Sequence, residues 1–160
     1  MKVIKCLFAA LLIVAGLNAS CQTVASWKVT DVKKYIDSSQ SILVVNFWAT
    51  FCKPCVEELP YMQSVVEKYK PQHVNLFLVS LDLPDQFPDK IAAFAKLKGY
   101  QMPIVWLDET NADYFCPKID KAWDGSIPCT LLVNNKKAYH HFIDHQMTAK
   151  EFEEEVKKAL

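Results

Sequence analysis

The stretch Val44-Val45-Asn46-Phe47-Trp48-Ala49-Thr50-Phe51-Cys52-Lys53-Pro54-Cys55-Val56-Glu57-Glu58-Leu59-Pro60 carries two patterns back to back. Its first half is an apolar, β-branched run of the kind that forms a buried strand; its second half repeats apolar residues at helical spacing. The two cysteines therefore stand where a strand turns into a helix. A helix N-terminus offers unpaired N–H groups and about half a positive charge, which favour the thiolate of Cys52 over its thiol and make it a nucleophile.

Outward from this stretch, Val56, Leu59, Met62, Val66 and Tyr69 recur every three or four residues, predicting a helix from about Lys53 to Tyr69. Pro54 falls in its first turn, where a missing N–H costs nothing, whereas Pro60 lies inside and predicts a kink. Upstream, Ser41 to Trp48 reads as the strand, preceded by a short amphipathic helix over 31–37 with Thr30 as N-cap and Val32, Tyr35 and Ile36 on one face. Downstream, Val74 to Leu81 reads as a second core strand. A helix near 88–97 closed by Gly99, a short apolar run Ile104 to Leu107, and a helical turn over 109–115 follow. Cys129 to Val133 and Ala138 to Ile143 form a predicted hairpin around Asn134-Asn135, and Thr148 caps a last helix over 149–160. Alternating strands and helices ending in a hairpin predict an α/β fold with a mixed central sheet flanked by helices.

The chain is 51% hydrophobic and 22% charged, enough for one domain with a substantial core. Its 18 basic residues are all lysine and balance 18 acids, which argues against a nucleic-acid surface. The first twenty residues differ: Lys2 and Lys5 precede an uncharged run from Leu7 to Leu17, too short to span a bilayer and of the length of an export signal. Leu17-Asn18-Ala19-Ser20-Cys21 resembles a bacterial lipobox, with Cys21 as the lipidation site of an exported, periplasmic, membrane-tethered protein and Asn18 as a departure from the usual pattern; ordinary cleavage near Ala19 to a soluble periplasmic form and an uncleaved anchor are the alternatives. The expected organisation is a signal peptide over 1–20, a tether over 21–28 and one domain over 29–160. Cleavage before Cys21 leaves 16 lysines against 18 acids, a formal charge of −2. Outside the cytosol cysteines persist as disulfides, so the chemistry of Cys52 and Cys55 is read against an oxidising compartment.

Trp48-Ala49-Thr50-Phe51-Cys52-Lys53-Pro54-Cys55-Val56-Glu57-Glu58-Leu59-Pro60, with Pro128 before the hairpin, closely resembles the TlpA/ResA-like branch of the thioredoxin superfamily. The similarity extends over roughly residues 30–160 and implies a thioredoxin-like fold. It implies that the Ile127–Pro128 bond is cis and that Pro128 packs beside the cysteines. It also implies that the main chain at Ile127 pairs with a substrate peptide. Ile127, Pro128 and Trp48 are the expected substrate-contacting residues.

The resemblance implies an exported thiol-disulfide oxidoreductase. Cys52 attacks a substrate disulfide and Cys55 resolves the mixed disulfide. Compact thioredoxins keep a buried Asp six residues before the first cysteine, where this chain has Asn46; Glu58, three residues after Cys55 on the same helical face, matches a functional Glu of the ResA-like branch, and the resemblance assigns it as proton acceptor and donor. The plainer reading of Glu58 is a solvated helix residue, as expected for Glu57. Lys53 either lowers the Cys52 pKa or stands in solvent with little effect. No cofactor is called for, and Cys52 with Cys55 lacks the further ligands a zinc site needs. Cys129 directly follows Pro128 and is expected near the active pair; Cys116 and Cys129 read first as small buried hydrophobes, with a mutual disulfide as the alternative. His140, His141 and His145 read as exposed hairpin residues rather than metal ligands.

Expected partners are protein disulfides, a membrane electron donor and a lipid anchor, with the chain a monomer. The main alternatives are a disulfide oxidase or isomerase, and a non-enzymatic copper-thiol carrier. A peroxidase is disfavoured, because the Pro-x-x-x-Thr-x-x-Cys pattern ending on Cys52 has Val45 and Ala49 where it needs Pro and Thr.

Overall fold

The computed structural model describes residues 23–160. The expected signal peptide and Cys21 lie outside the described residues. The elements are β1 (Ala25–Trp27), α1 (Val29–Ser38), β2 (Ile42–Trp48), α2 (Lys53–Tyr69), β3 (Val74–Ser80), α3 (Asp89–Lys98), β4 (Ile104–Leu107), α4 (Ala112–Ile119), β5 (Cys129–Asn134), β6 (Tyr139–Ile143) and α5 (Ala149–Ala159). They build one six-stranded sheet in the order β1-β4-β3-β2-β5-β6. The first four strands in that order run parallel, and β5 and β6 join antiparallel at the far side.

All seven residues of β2 are buried, and its alternation divides the core in two. Ile42, Val44 and Trp48 pack into the layer under α2, α3 and α5, together with Leu59, Met62, Ile91 and Phe152. Leu43, Val45 and Phe47 point the other way, into the layer under α1 and α4 with Val32, Phe115 and Trp123. On the sequence these two sets merge into one apolar run. Only the neighbours on each face separate them.

The expected tether contains a strand. Residues 25–27 pair in parallel with Val105, Trp106 and Leu107, so the ordered domain begins before residue 29. The first helix starts at Val29 rather than after Thr30, because Asp31 reaches back to accept the Lys28 N–H at 3.0 Å and Glu109 accepts the Val29 N–H at 3.0 Å. The predicted turn over 109–115 is instead the helix α4, which extends through Pro117 to Ile119 and buries Phe115, Cys116 and Ile119 against the sheet. Its apolar face is short enough to read as a turn in sequence. Gly99 closes α3 at φ +71°, and Thr148 caps α5 by accepting the Glu151 N–H at 3.2 Å. The hairpin connection is a 3₁₀ turn over Asn135–Lys137, with Ala138 at φ +51°.

At the C-terminal end, the buried Asn134 amide donates to the Ala159 carbonyl at 2.8 Å, satisfying an acceptor that α5 leaves open at its last turn. Asn134→Ala is expected to cost about 1–2 kcal/mol, read as a lower urea midpoint with an unchanged slope.

No helix among the described residues is long and apolar enough to cross a membrane.

Candidate active site

The strand-to-helix junction is where the sequence places it. Cys52 is the N-cap of α2, and its Sγ accepts the Cys55 N–H at 3.3 Å, one of the donors the helix end leaves free. Cys52 and Cys55 are joined by a disulfide, with Cα atoms 5.3 Å apart. Cys52 is 8% exposed and Cys55 fully buried, so an incoming sulfur meets Cys52 first. The first turn of α2 holds no acidic residue. The Lys53 side chain is 85% exposed and lies 3.8 Å from Glu57 Oε1, which places it in solvent along the helix.

One turn beyond Cys55, Glu58 is fully buried. Its Oε1 accepts a hydrogen bond from Asn46 Nδ2 at 2.8 Å and its Oε2 accepts the Met147 N–H at 3.4 Å. Burial outweighs both donors and pushes the carboxyl up to about 7. The reading of Glu58 as a solvated helix residue fails, while Glu57 is the exposed member of the pair. Asn46 also donates to Thr130 Oγ1 at 3.0 Å, so β2, α2 and β5 meet in one buried polar chain, and Asn46 Oδ1 is left without a partner among the described residues.

Across from α2, the Ile127–Pro128 bond is cis, as the resemblance implies; Phe87–Pro88 is also cis, which no feature of the sequence marks. Pro128 is buried and Ile127 half-buried. Trp48 is fully buried against Phe94 and Tyr100, at ring-centroid distances of 6.0 and 5.7 Å. Its indole has no exposed face to offer a substrate. Phe51, by contrast, is 66% exposed beside Cys52.

Cys129 is not on the side of the active pair. It pairs with Phe47 across the β2–β5 ladder, and both side chains enter the layer under α1 and α4. The next residue, Thr130, faces α2 and reaches Asn46. This is the period-two alternation of a strand, and the residue count from Pro128 alone does not reveal it. Cys129 and Cys116 are free, buried thiols, and desolvation pushes Cys116 up to about 11 and Cys129 further. His140 lies 2.8 Å from Asp120, His141 3.4 Å from Glu155 and His145 2.9 Å from Glu151. Each of these imidazoles thus faces a carboxylate rather than another imidazole.

Two contributors to this site escape the sequence reading: Thr130, and the loop before α5 with its Met147 N–H. Gln146 Nε2 donates to the Pro54 carbonyl at 3.1 Å and the Tyr61 hydroxyl donates to the Met147 carbonyl, which fixes that loop over α2. The contacts span more than eighty residues, and no local pattern marks them.

A disulfide at a helix tip, with the outer sulfur reachable and the inner one backed by a carboxyl poised near neutrality, is built to exchange disulfides. Together with the mixed sheet it defines a thioredoxin-fold thiol-disulfide oxidoreductase. The chain belongs to the AhpC/TSA family, whose model matches residues 18–139. It is 29% identical over 136 residues to the thiol-disulfide oxidoreductase ResA of Geobacillus kaustophilus, covering 82% of this chain and 72% of that protein. It is 30% identical over 111 residues to ResA of Geobacillus thermodenitrificans, covering 69% of this chain and 58% of that one. Among solved structures, the thioredoxin-related protein of Neisseria meningitidis serogroup B superposes with a TM-score of 0.65 at 27% identity, covering 78% of this chain and 89% of its own. StoA of Bacillus subtilis superposes at 0.55 and 24%, covering 74% and 84%.

Proposed function

We propose that this oxidoreductase works outside the cytosol as a reductant of protein disulfides. The observation that carries the reading is the Cys52–Cys55 pair at the tip of α2, with the buried carboxyl of Glu58 one turn beyond the buried Cys55. In the reduced enzyme the Cys52 thiolate attacks one sulfur of a substrate disulfide; the old S–S bond breaks and the departing thiolate takes a proton from water. Glu58 then accepts the Cys55 thiol proton, and Cys55 attacks the Cys52 sulfur of the mixed disulfide. The second substrate thiolate leaves. Two electrons have passed to the substrate, and the enzyme holds the Cys52–Cys55 disulfide.

Ile127 and Pro128 border the cleft in which the substrate segment lies, its main chain pairing at Ile127. The uncharged run from Leu7 to Leu17 and the cysteine at position 21 support export and lipid tethering, which in turn calls for a membrane electron donor to restore the dithiol. A role in keeping thiols reduced for cytochrome c maturation or general redox balance fits that placement, with the chain acting as a monomer.

The midpoint potential of the Cys52–Cys55 couple tests the direction of flow. It is expected near that of thioredoxin, about −270 mV, and a value near that of DsbA, about −120 mV, overturns the reductant in favour of an oxidase.

A further inference from the structure

The loop that delivers Cys52 is held by a carboxylate from another strand end. Asp82 follows β3, is 4% exposed, and points both oxygens at the Ala49–Phe51 segment and at Ser80. The Thr50 N–H donates to Oδ1 and Oδ2 at 3.0 and 3.1 Å, the Thr50 hydroxyl donates to Oδ1 at 2.5 Å, and the Ser80 hydroxyl donates to Oδ2 at 2.7 Å. The residue is itself anchored: its N–H donates to Ser80 Oγ at 3.1 Å and its carbonyl accepts Trp106 Nε1 at 2.7 Å. Nearby, the Leu81 N–H donates to the Trp48 carbonyl at 2.8 Å. The segment then closes on itself as the Cys52 N–H donates to the Ala49 carbonyl at 3.1 Å.

We infer that Asp82 is a positioning residue for Cys52, acting through Thr50. A buried carboxylate whose hydrogen-bond donors are two hydroxyls and an amide, with no cation among them, is costly to keep unless the bonds serve something. What they fix here is the backbone two residues before the nucleophile. An attack that needs the sulfur in line with the scissile bond is sensitive to displacements of about 1 Å. The tie sets where Cys52 stands on the tip of α2, with Phe51 presented beside it. The inference rests on the reading of Cys52 as the attacking sulfur.

A double-mutant cycle between Asp82 and Thr50 on the reduced, full-length protein tests it, with insulin disulfides as substrate. Thr50→Val, which removes one hydroxyl and no charge, is expected to lower kcat about threefold to fivefold with KM unchanged, the size of one hydrogen bond. Asp82→Ala is expected to lower kcat about tenfold or more, and Asp82→Asn, whose amide oxygen still accepts the Thr50 N–H, to recover most of that loss. In the Asp82→Ala background Thr50→Val is expected to have no further effect. Should Asp82→Ala fail to give a cooperative melt, Asp82→Ser, whose hydroxyl is too short to reach Thr50, takes its place in the cycle, and the Thr50→Val effect is expected to shrink there. A Thr50→Val effect that is the same whatever stands at position 82, or a loss confined to KM, overturns the inference. Failure of the underlying reading looks different: the wild type does not turn over insulin, or turnover survives Cys52→Ser.

Discussion

Cys52→Ser is expected to abolish disulfide reduction, with turnover falling at least about a thousandfold to the uncatalysed background, while the fold persists. The reason is positional. Cys52 is the sulfur with exposed surface and the one that accepts the Cys55 N–H at the helix end, whereas Cys55 is sealed behind it. A serine at the N-cap keeps the capping bond but has no accessible alkoxide near neutral pH. The mirror experiment separates the two sulfurs. Cys55→Ala leaves the attacking thiolate and removes the resolving one, so mixed disulfides with substrate accumulate and are seen as reducible higher-mass adducts on non-reducing gels. Adducts through Cys55 in a Cys52→Ser variant would contradict the assignment of attack to Cys52. A copper-thiol carrier on the same fold would show neither effect in a disulfide assay.

Glu58→Gln is the second large effect, and it has both a kinetic and a stability side. With the carboxyl near 7, the exchange rate is expected to rise as pH increases through neutrality, because only the ionised form accepts the Cys55 proton. The glutamine variant should lose that step and run about ten- to a hundredfold slower at pH 8. A variant with an unchanged pH profile would remove Glu58 from the mechanism.

Stability moves the other way. The folded carboxyl binds its proton more tightly than the unfolded one, whose ordinary value is 4.5, so the folded state holds the extra proton between the two values. Stability is therefore greatest below about 4.5, falls as pH rises toward 7, and levels off above it; a shift of this size corresponds to about 3 kcal/mol. In Glu58→Gln that slope should vanish, and the variant should resist urea better than the wild type at pH 8. The Asn46 side chain can accommodate the change, since its partnerless Oδ1 is available to accept from the introduced glutamine amide once the Asn46 amide rotates. Enhanced stability with depressed turnover is the usual signature of a strained functional group.

How far the site is legible in the sequence depends on how local its causes are. Cys52, Cys55 and Glu58 lie within seven residues of one another at the start of one helix, so helical spacing alone puts them in line. Asn46, standing where compact thioredoxins keep a buried Asp, and the resemblance to the ResA-like branch together direct attention to Glu58, and the structure places the two side chains 2.8 Å apart. Thr130, Met147 and Asp82 come from other strands and loops, 84, 89 and 32 residues away from the groups they touch. Cys129 shows the same boundary from the other side. Nearness to Pro128 in sequence predicts nearness to the disulfide, but a β-strand turns successive side chains to opposite faces, and that one-residue step sends the thiol into the other core layer.

By itself the sequence determined the strand-to-helix junction, the order of the main elements, and which cysteine stands at the helix tip, because each follows from spacing within a segment. Only the tertiary structure decided that residues 25–27 join the sheet, that Trp48 is fully buried, and that Thr130 rather than Cys129 lies on the carboxyl's side of the sheet. These outcomes depend on which faces are covered and which distant donors arrive. Burial and pairing are properties of the packed chain, so no stretch of it holds them alone.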